Sequence, residues 1–585
     1  MNSRHRHRRM PRVVRASAMS VVLLALGLAF QIDADAQSPD EHAVGQMREV
    51  DTASLRFDFR TQSTGDSDLL ERGRTLFATQ CAICHGENGD GAGKFAYLMN
   101  PRPRDFTKGK FKLSTTQNLI PSDEDLFRTI SNGMPGSAMP PWSHLPKADI
   151  DALVVFVRSV NRDAARIKLD AWVADGTIEA SELSNALARA TTPGPAIVVP
   201  PEPPFDEIRW FRGRRLYLEN CAACHGADGE PIAEAVKEDD EGFPVPPRSF
   251  VQGIFKGGSQ GHQLYARILK GMNGSPMPAS EGAYTDDEVW DIIHYTQSLM
   301  RQGAQERAQL KQGTIVAARL SGALPASPMD DVWSRARPVY VGLTPLWWED
   351  NRIEGLIVQA IHNSDELAIR LAWLDPSRDD SAVRQSEFRD AVAIQFSMSS
   401  DPPFYMGSSG PGGGVNIWMW KADRETNIEK GYQDVDAAFP DRAVDFYPEQ
   451  DYRPKDMTET EWPHELITKH ASLFITAWGA GNLVADPTLK TPVECLVANG
   501  PGTLNGKPAA VQIVRGQAVY ERGLWYVQLQ RRMELPHDQE HDCAADEREF
   551  APGDYLPVSF AVWNGSAGDR DGKKNISIWQ KLVIE

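Results

Sequence analysis

The chain has 585 residues and a formal net charge of −18, from 62 Lys and Arg against 80 Asp and Glu. Single hydrophobic cores stop growing at roughly 250–300 residues, so several domains are expected. The acidic balance argues against nucleic acid and anionic membrane surfaces as partners and favours basic ones.

Residues 1–36 carry six arginines, all by Arg15, against Asp33 and Asp35. An apolar run follows from Val21 to Phe30, and Ala34-Asp35-Ala36 precedes Gln37. A basic stretch, an apolar stretch and a small-x-small site are the pattern of a cleaved secretory signal, and the run is shorter than the ~20 residues of a membrane span. Export to the periplasm is therefore expected, with cleavage after Ala36.

A repeat comes next. Glu71-Arg-Gly-Arg-Thr-Leu-Phe-Ala-Thr-Gln-Cys81 matches Phe211-Arg-Gly-Arg-Arg-Leu-Tyr-Leu-Glu-Asn-Cys221 at an offset of 140 residues. Downstream, Gly136-Ser-Ala-Met139-Pro140 pairs with Gly274-Ser-Pro-Met277-Pro278. Each unit closes with acidic residues followed by apolar ones at helical spacing, Ala148 to Val160 and Asp286 to Leu299. Two small all-α domains are expected at 66–163 and 205–301. Between them, 164–204 ends in a proline-rich run suited to an extended spacer. A polar stretch at 302–331 reads as a second linker with a helical composition.

From 332 to 585 the texture changes to short segments rich in β-branched and aromatic residues, separated by Gly, Pro, Asp and Asn. Leu356–Ile361, Leu367–Leu374, Ala391–Phe396, Val415–Trp420, Ala471–Trp478, Leu524–Leu529, Val558–Trp563 and Ile576–Trp579 read as strands. With no interleaved helices, they argue for an antiparallel all-β sandwich.

Four of the six cysteines lie in Cys81-Ala-Ile-Cys84-His85 and Cys221-Ala-Ala-Cys224-His225. Two thiols one helical turn apart reach the two vinyl groups of a haem, and the next histidine lies beneath the iron. A bare CxxC also suits zinc or redox chemistry, but neither pair has a second CxxC to complete a zinc set. The two motifs imply covalent c-type haems with His85 and His225 as proximal ligands. Cys495 and Cys543 remain, with or without a disulfide between them. His537, His541 and Cys543 lie in an acidic stretch with no partner motif and read as a solvated loop.

Each repeat unit resembles a class I cytochrome c domain, in which the distal ligand is a methionine in a loop before the last helix. The resemblance assigns that role to Met139 and Met277, each followed by proline; Met134 and Met272 are the rivals. Arg104 and Arg248, in related Pro-Arg-x-Phe segments, read either as partners of haem propionates or as solvated loop residues.

The carboxy-terminal segments carry a second resemblance. Leu371-Ala-Trp-Leu-Asp375, Phe404-Tyr-Met-Gly407, Ile417-Trp-Met-Trp-Lys421, Pro557-Val-Ser-Phe-Ala-Val-Trp563 and Gly572-Lys-Lys-Asn-Ile-Ser577 are similar to the haem b-binding γ subunit of ethylbenzene dehydrogenase and its relatives. The resemblance implies a non-covalent haem b between Met406 and Lys574, with Lys573 the alternative lysine. It also implies partnership with a molybdopterin catalytic subunit and an iron–sulfur subunit, with a soluble cytochrome or other carrier beyond. No catalytic residue is assigned. The competing readings are a haem enzyme, either a peroxidase or a small-molecule dehydrogenase, and a dihaem cytochrome with a haem-free binding module.

Overall fold

The structure is a computed structural model that describes residues 64–400, 402, 407, 413–431, 433, 435–441, 491–500, 502–507, 511–535 and 547–585. The leader, the expected strand Ala471–Trp478, Met406, His537, His541 and Cys543 lie outside the described residues.

In the first helical unit, α1 (Thr64–Gln80) runs into the one-turn helix α2 (Ala82–His85), followed by α3 (Asp123–Asn132) and α4 (Lys147–Ala174). Ser122 and Asp125 form a reciprocal capping box that starts α3. The repeated Arg-Gly-Arg has a steric reason. A Cβ on Gly73 would lie 2.1 Å from the Ala152 carbonyl oxygen, so α1 and α4 cross at backbone contact. Below the crossing, Phe77 packs on Phe156 with centroids 4.8 Å apart. A second short helix, α5 (Leu183–Thr191), folds back on α4.

The second unit repeats this plan with α6 (Glu207–Asn220), α7 (Ala222–His225), α8 (Gly261–Lys270) and α9 (Asp286–Ser298). A Cβ on Gly213 would meet the Asp291 carbonyl oxygen at 2.0 Å. Tyr217 and Tyr295 replace the phenylalanine pair, 5.1 Å apart. Between α7 and α8 this unit adds a small hairpin, β1 (Lys237–Glu238) and β2 (Pro244–Val245), whose turn is acidic.

The stretch 164–204 is more than a spacer. Its alanine-rich part continues α4 and forms α5, because alanine and leucine favour helix. Its proline run is tied to the first unit: Gln117 N–H donates to Pro195 O (2.8 Å) and Ile197 N–H to Thr115 O (2.7 Å). The stretch 302–331 holds one helical turn, α10 (Ala304–Arg307), and then β3 (Thr314–Arg319). In β3 the alternation of Ile315 and Ala317 with more exposed neighbours is a strand period that the polar composition concealed.

The carboxy-terminal region is a large β-sheet. It is built from β3, β4 (Val339–Gly342), β5 (Thr344–Pro345), β6 (Gly355–His362), β7 (Glu366–Leu374), β8 (Ala391–Ser397) and β9 (Val415–Lys421). It continues with β10 (Val493–Ala498), β11 (Asn505–Gly506), β12 (Arg515–Glu521), β13 (Leu524–Arg532), β14 (Tyr555–Trp563), β15 (Asn575–Ile576) and β16 (Gln580–Ile584). Among the described residues the hydrogen-bonded order is β11-β10-β9-β8-β14-β16-β3-β6-β7-β13-β12. The expectation of a wholly antiparallel arrangement is corrected at one place. β3 enters between β16 and β6 and is parallel to both. Two helices, α11 (Ala422–Lys430) and the one-turn α12 (Val435–Ala438), follow β9 among the described residues. Trp373, Trp418, Trp420 and Trp525 are fully buried in the core, on the face that also takes Val392, Ile394 and Phe396 from β8.

Candidate haem sites and their junctions

The first site is built on the α1–α2 corner. Cys81, Cys84, His85, Met134 and Met139 line one cavity of about 150 Å³, closed by Phe77, Phe106, Leu126, Leu153 and Val157. The walls are apolar and the few polar groups converge, which suits a flat hydrophobic cofactor with a coordinated metal. His85 Nδ1 lies 3.0 Å from the Arg104 carbonyl oxygen. A carbonyl only accepts, so Nδ1 carries the proton and Nε2 keeps its lone pair for a metal. Burial holds the His85 imidazole below its ordinary pKa, which favours this neutral form. The ring stacks on Phe106, 4.7 Å between centroids and 21° apart.

The second site repeats these contacts. His225 Nδ1 lies 3.2 Å from the Arg248 carbonyl oxygen, and the ring stacks on Phe250 at 4.4 Å and 19°. Burial again lowers the imidazole pKa. Each methionine loop is a closed turn: Met134 N–H donates to Met139 O (3.1 Å), and Met272 N–H to Met277 O (3.2 Å). In the first unit both methionines of the pair line the His85 cavity.

Burial pushes the Cys81 and Cys84 thiols up to about 12 and Cys221 to about 11. Such thiols stay protonated at neutral pH and are poor nucleophiles. Among the described residues, no three His, Cys, Asp or Glu side chains gather as a metal set. The residues fit covalent haem better than zinc.

On the β-sheet, the face of β8, β9 and β14 turned away from the main core is lined by Ala391, Ala393, Ala561, Ile417, Met419 and Trp563. Ala391 and Ala393 follow each other on this face of β8 and Ala561 of β14 lies opposite Ala393, so three small side chains sit together among larger ones. Lys574 Nζ lies 5.0 Å from the Trp563 ring centroid, and burial lowers its pKa to about 8. Among the described residues no carboxylate forms an ion pair with it. Lys573 is engaged differently: its ammonium pairs with Glu349 and donates to the Ala567 carbonyl (2.5 Å). Gly407, the residue after Met406, lies near the other end of the same face; a Cβ there would meet Ala498, Val415 and, at 3.9 Å, Gln395 Oε1. A lysine whose ammonium is destabilised by burial, at one end of a largely apolar face, loses its proton to iron more readily than an exposed one, which fits an axial ligand.

The first cytochrome unit is seated against this region. Cys84, Phe95, Met99 and Trp142 pack with Leu346 and Ile576, and Ala561 of the alanine face touches the same cluster. Asn100 N–H donates to Leu346 O (3.0 Å), Trp348 N–H to Asn100 O (2.8 Å) and Leu346 N–H to Lys574 O (3.0 Å). Sequence reasoning missed Phe106 and Phe250, although the repeated Pro-Arg-x-Phe pointed at them, and it considered the arginine side chains rather than the carbonyls that orient the histidines.

Comparison with known proteins agrees with this layout. Residues 330–575 match the family model for Ethylbenzene dehydrogenase, residues 68–157 that for Cytochrome C oxidase, cbb3-type, subunit III, and residues 211–300 that for Cytochrome c. The chain is 26% identical over 265 residues to a protein of Haloferax mediterranei provisionally named a respiratory nitrate reductase heme subunit, covering 44% of this chain and 67% of that one. It is 25% identical over 270 residues to Dimethylsulfide dehydrogenase subunit gamma of Rhodovulum sulfidophilum, covering 43% of this chain and 73% of that one. Over 131 residues it is 30% identical to Chlorate reductase subunit gamma of Ideonella dechloratans, covering 21% and 54%. The chain thus carries two cytochrome c domains followed by a domain that belongs to the ethylbenzene dehydrogenase family.

Proposed function

We propose that this chain is a periplasmic multihaem electron relay, passing electrons between a molybdenum and iron–sulfur oxidoreductase and a soluble carrier. In this reading the carboxy-terminal domain is a β-sandwich that holds one haem b between Met406 and Lys574. The two c-type haems are held by Cys81, Cys84, His85 and Met139, and by Cys221, Cys224, His225 and Met277. Cytochrome c domains bind haem covalently, and bound haem supplies a one-electron iron couple.

The observation that carries the reading is contiguity. The alanine face beside Lys574 runs through Ala561 and Ile576 into the cluster that contains Cys84. From there the first cytochrome unit meets the second through Arg104, Lys108 and Lys110 against Asp240 and Glu241. The chain's own residues have three tasks: Arg104 O and Arg248 O hold the histidine tautomers, the phenylalanines fix the rings, and the apolar walls exclude water. A thioether opposite histidine raises the potential and closes the iron to small ligands, which suits transfer over catalysis. Among the described residues no helix is long and apolar enough to cross a membrane.

Carbon monoxide discriminates this relay from a haem enzyme. Added to the dithionite-reduced full chain, it should leave the Soret spectrum unchanged, because every iron is expected to be six-coordinate. A stoichiometric carbonyl adduct at any haem would overturn the relay reading.

A further inference from the structure

Cations gather where the two cytochrome domains meet. Three of them are matched by the acidic turn of the β1–β2 hairpin: Lys110 pairs with Asp240, while Lys108 and Arg104 reach Glu241 at 3.4 and 3.8 Å. Lys112, Arg248 and Lys256 lie further in, and among the described residues none of them forms an ion pair. Arg248 is 6% exposed and Lys256 8%. The Arg248 guanidinium stacks on Trp348 at 4.2 Å, and its Nε and Nη2 make no hydrogen bond among the described residues. Unpaired buried cations are costly, and proteins retain them where an anion arrives to pair with them.

The position of these cations says where that anion sits. Arg104, Lys112 and Lys256 line the cavity that holds Cys81, Cys84, His85 and Met139, so a lysine of the second domain forms part of the first domain's site. The arginines are exchanged as well. Arg248 Nε lies 2.8 Å from where a Cβ on Gly136 would be, in the loop that carries Met139. Arg104 Nη1 lies 3.3 Å from the same point on Gly274, in the loop that carries Met277. Both glycines have positive φ, +79° and +67°, and their bare Cα atoms leave room for the other domain's guanidinium.

We propose that Lys256 and Arg248 of the second cytochrome domain complete the propionate-binding site of the haem in the first, together with Arg104 and Lys112. The inference rests on the two-c-haem reading above and adds to it. The first site is complete only with both domains docked, and the second domain sets the first haem's potential. A buried cation beside the propionates disfavours the extra positive charge of ferric iron, so it raises the midpoint.

The test uses the full chain. Covalent haem is first counted by pyridine haemochrome in the parent protein, and a count below two would sink the relay reading rather than this inference. Lys256→Met is then titrated by spectroelectrochemistry beside Lys147→Met, a control at an exposed lysine of α4 that pairs with Asp151. With two covalent haems retained, Lys256→Met should lower the redox step that Met139→Ala also moves. Lys256→Arg should restore that step and Lys147→Met should leave it in place. If Lys256→Met does not mature, Lys256→Gln is titrated instead, with the same downward shift expected. An unmoved step in a fully haem-loaded Lys256 variant lacking the charge would overturn the proposal.

Discussion

Leu346→Ala tests whether the first cytochrome domain is truly seated on the β domain. Leu346 is 0% exposed and lies in one cluster with Cys84, Met99, Trp142 and Ile576, at the point where the two domains share a core. Truncation removes three buried carbons and leaves a hole between elements that are pinned on both sides. The backbone bonds Asn100 N–H to Leu346 O and Leu346 N–H to Lys574 O hold residue 346 in place whatever its side chain. The site therefore has little freedom to collapse, and the cost should fall in the upper half of the roughly 2–5 kcal/mol seen for Leu→Ala in cores. Guanidinium denaturation of the haem-loaded full chain, followed by tryptophan fluorescence, reads the change as a lower midpoint. Haem content is the control and should stay the same, because Leu346 does not line the His85 cavity. An unchanged midpoint would mean that the domains are not packed through this cluster, and the contiguity argument for the relay would fail with it.

Other outcomes follow from the same geometry. Lys574→Ala should abolish acid-acetone-extractable haem, whereas Lys573→Ala should keep it, since Lys573 is engaged with Glu349; equal retention in both would remove Lys574 as a ligand. Met139→Ala should lower the midpoint of the first c-haem and open it to carbon monoxide, while Met134→Ala should do neither; the reverse pattern would transfer the ligand role to Met134. Asp390 is fully buried, and burial together with Asp375 pushes its carboxyl up to about 7. The native state then holds its proton more tightly than the unfolded chain, so this group's contribution should fall as pH rises from about 4 to about 7 and stay flat above. Asp390→Asn should flatten that slope in denaturation midpoints measured across the window; a slope of the same size in the variant would refute the assignment.

The parts legible in the sequence were those fixed by local spacing. Cys81, Cys84 and His85 lie within one helical turn, so their motif is readable without a fold. The repeated Arg-Gly-Arg could be aligned, but its reason, the backbone crossing of Gly73 with Ala152 and of Gly213 with Asp291, involves residues more than seventy positions apart. Strands with dense β-branched and aromatic residues, such as β7, β8 and β14, were visible in the pattern. β3 was not, because its polar flanks look like linker and only the pairing with β16 and β6 makes it a strand. Lys256 carries no motif at all. Its position in the first domain's cavity comes from domain docking, which no single-repeat comparison contains. Arg104 and Arg248 were noticed as side chains, while their carbonyls, invisible to any residue pattern, orient the two histidines.

The most direct measurement of the central claim is haem stoichiometry on the purified full chain. Pyridine haemochrome spectra before and after acid-acetone extraction separate thioether-linked haem from free protohaem. The account expects two covalent haems and one extractable haem b per polypeptide. Two covalent haems with none extractable from freshly purified, haem-supplemented protein would contradict the three-haem relay and leave a dihaem cytochrome joined to a haem-free β domain.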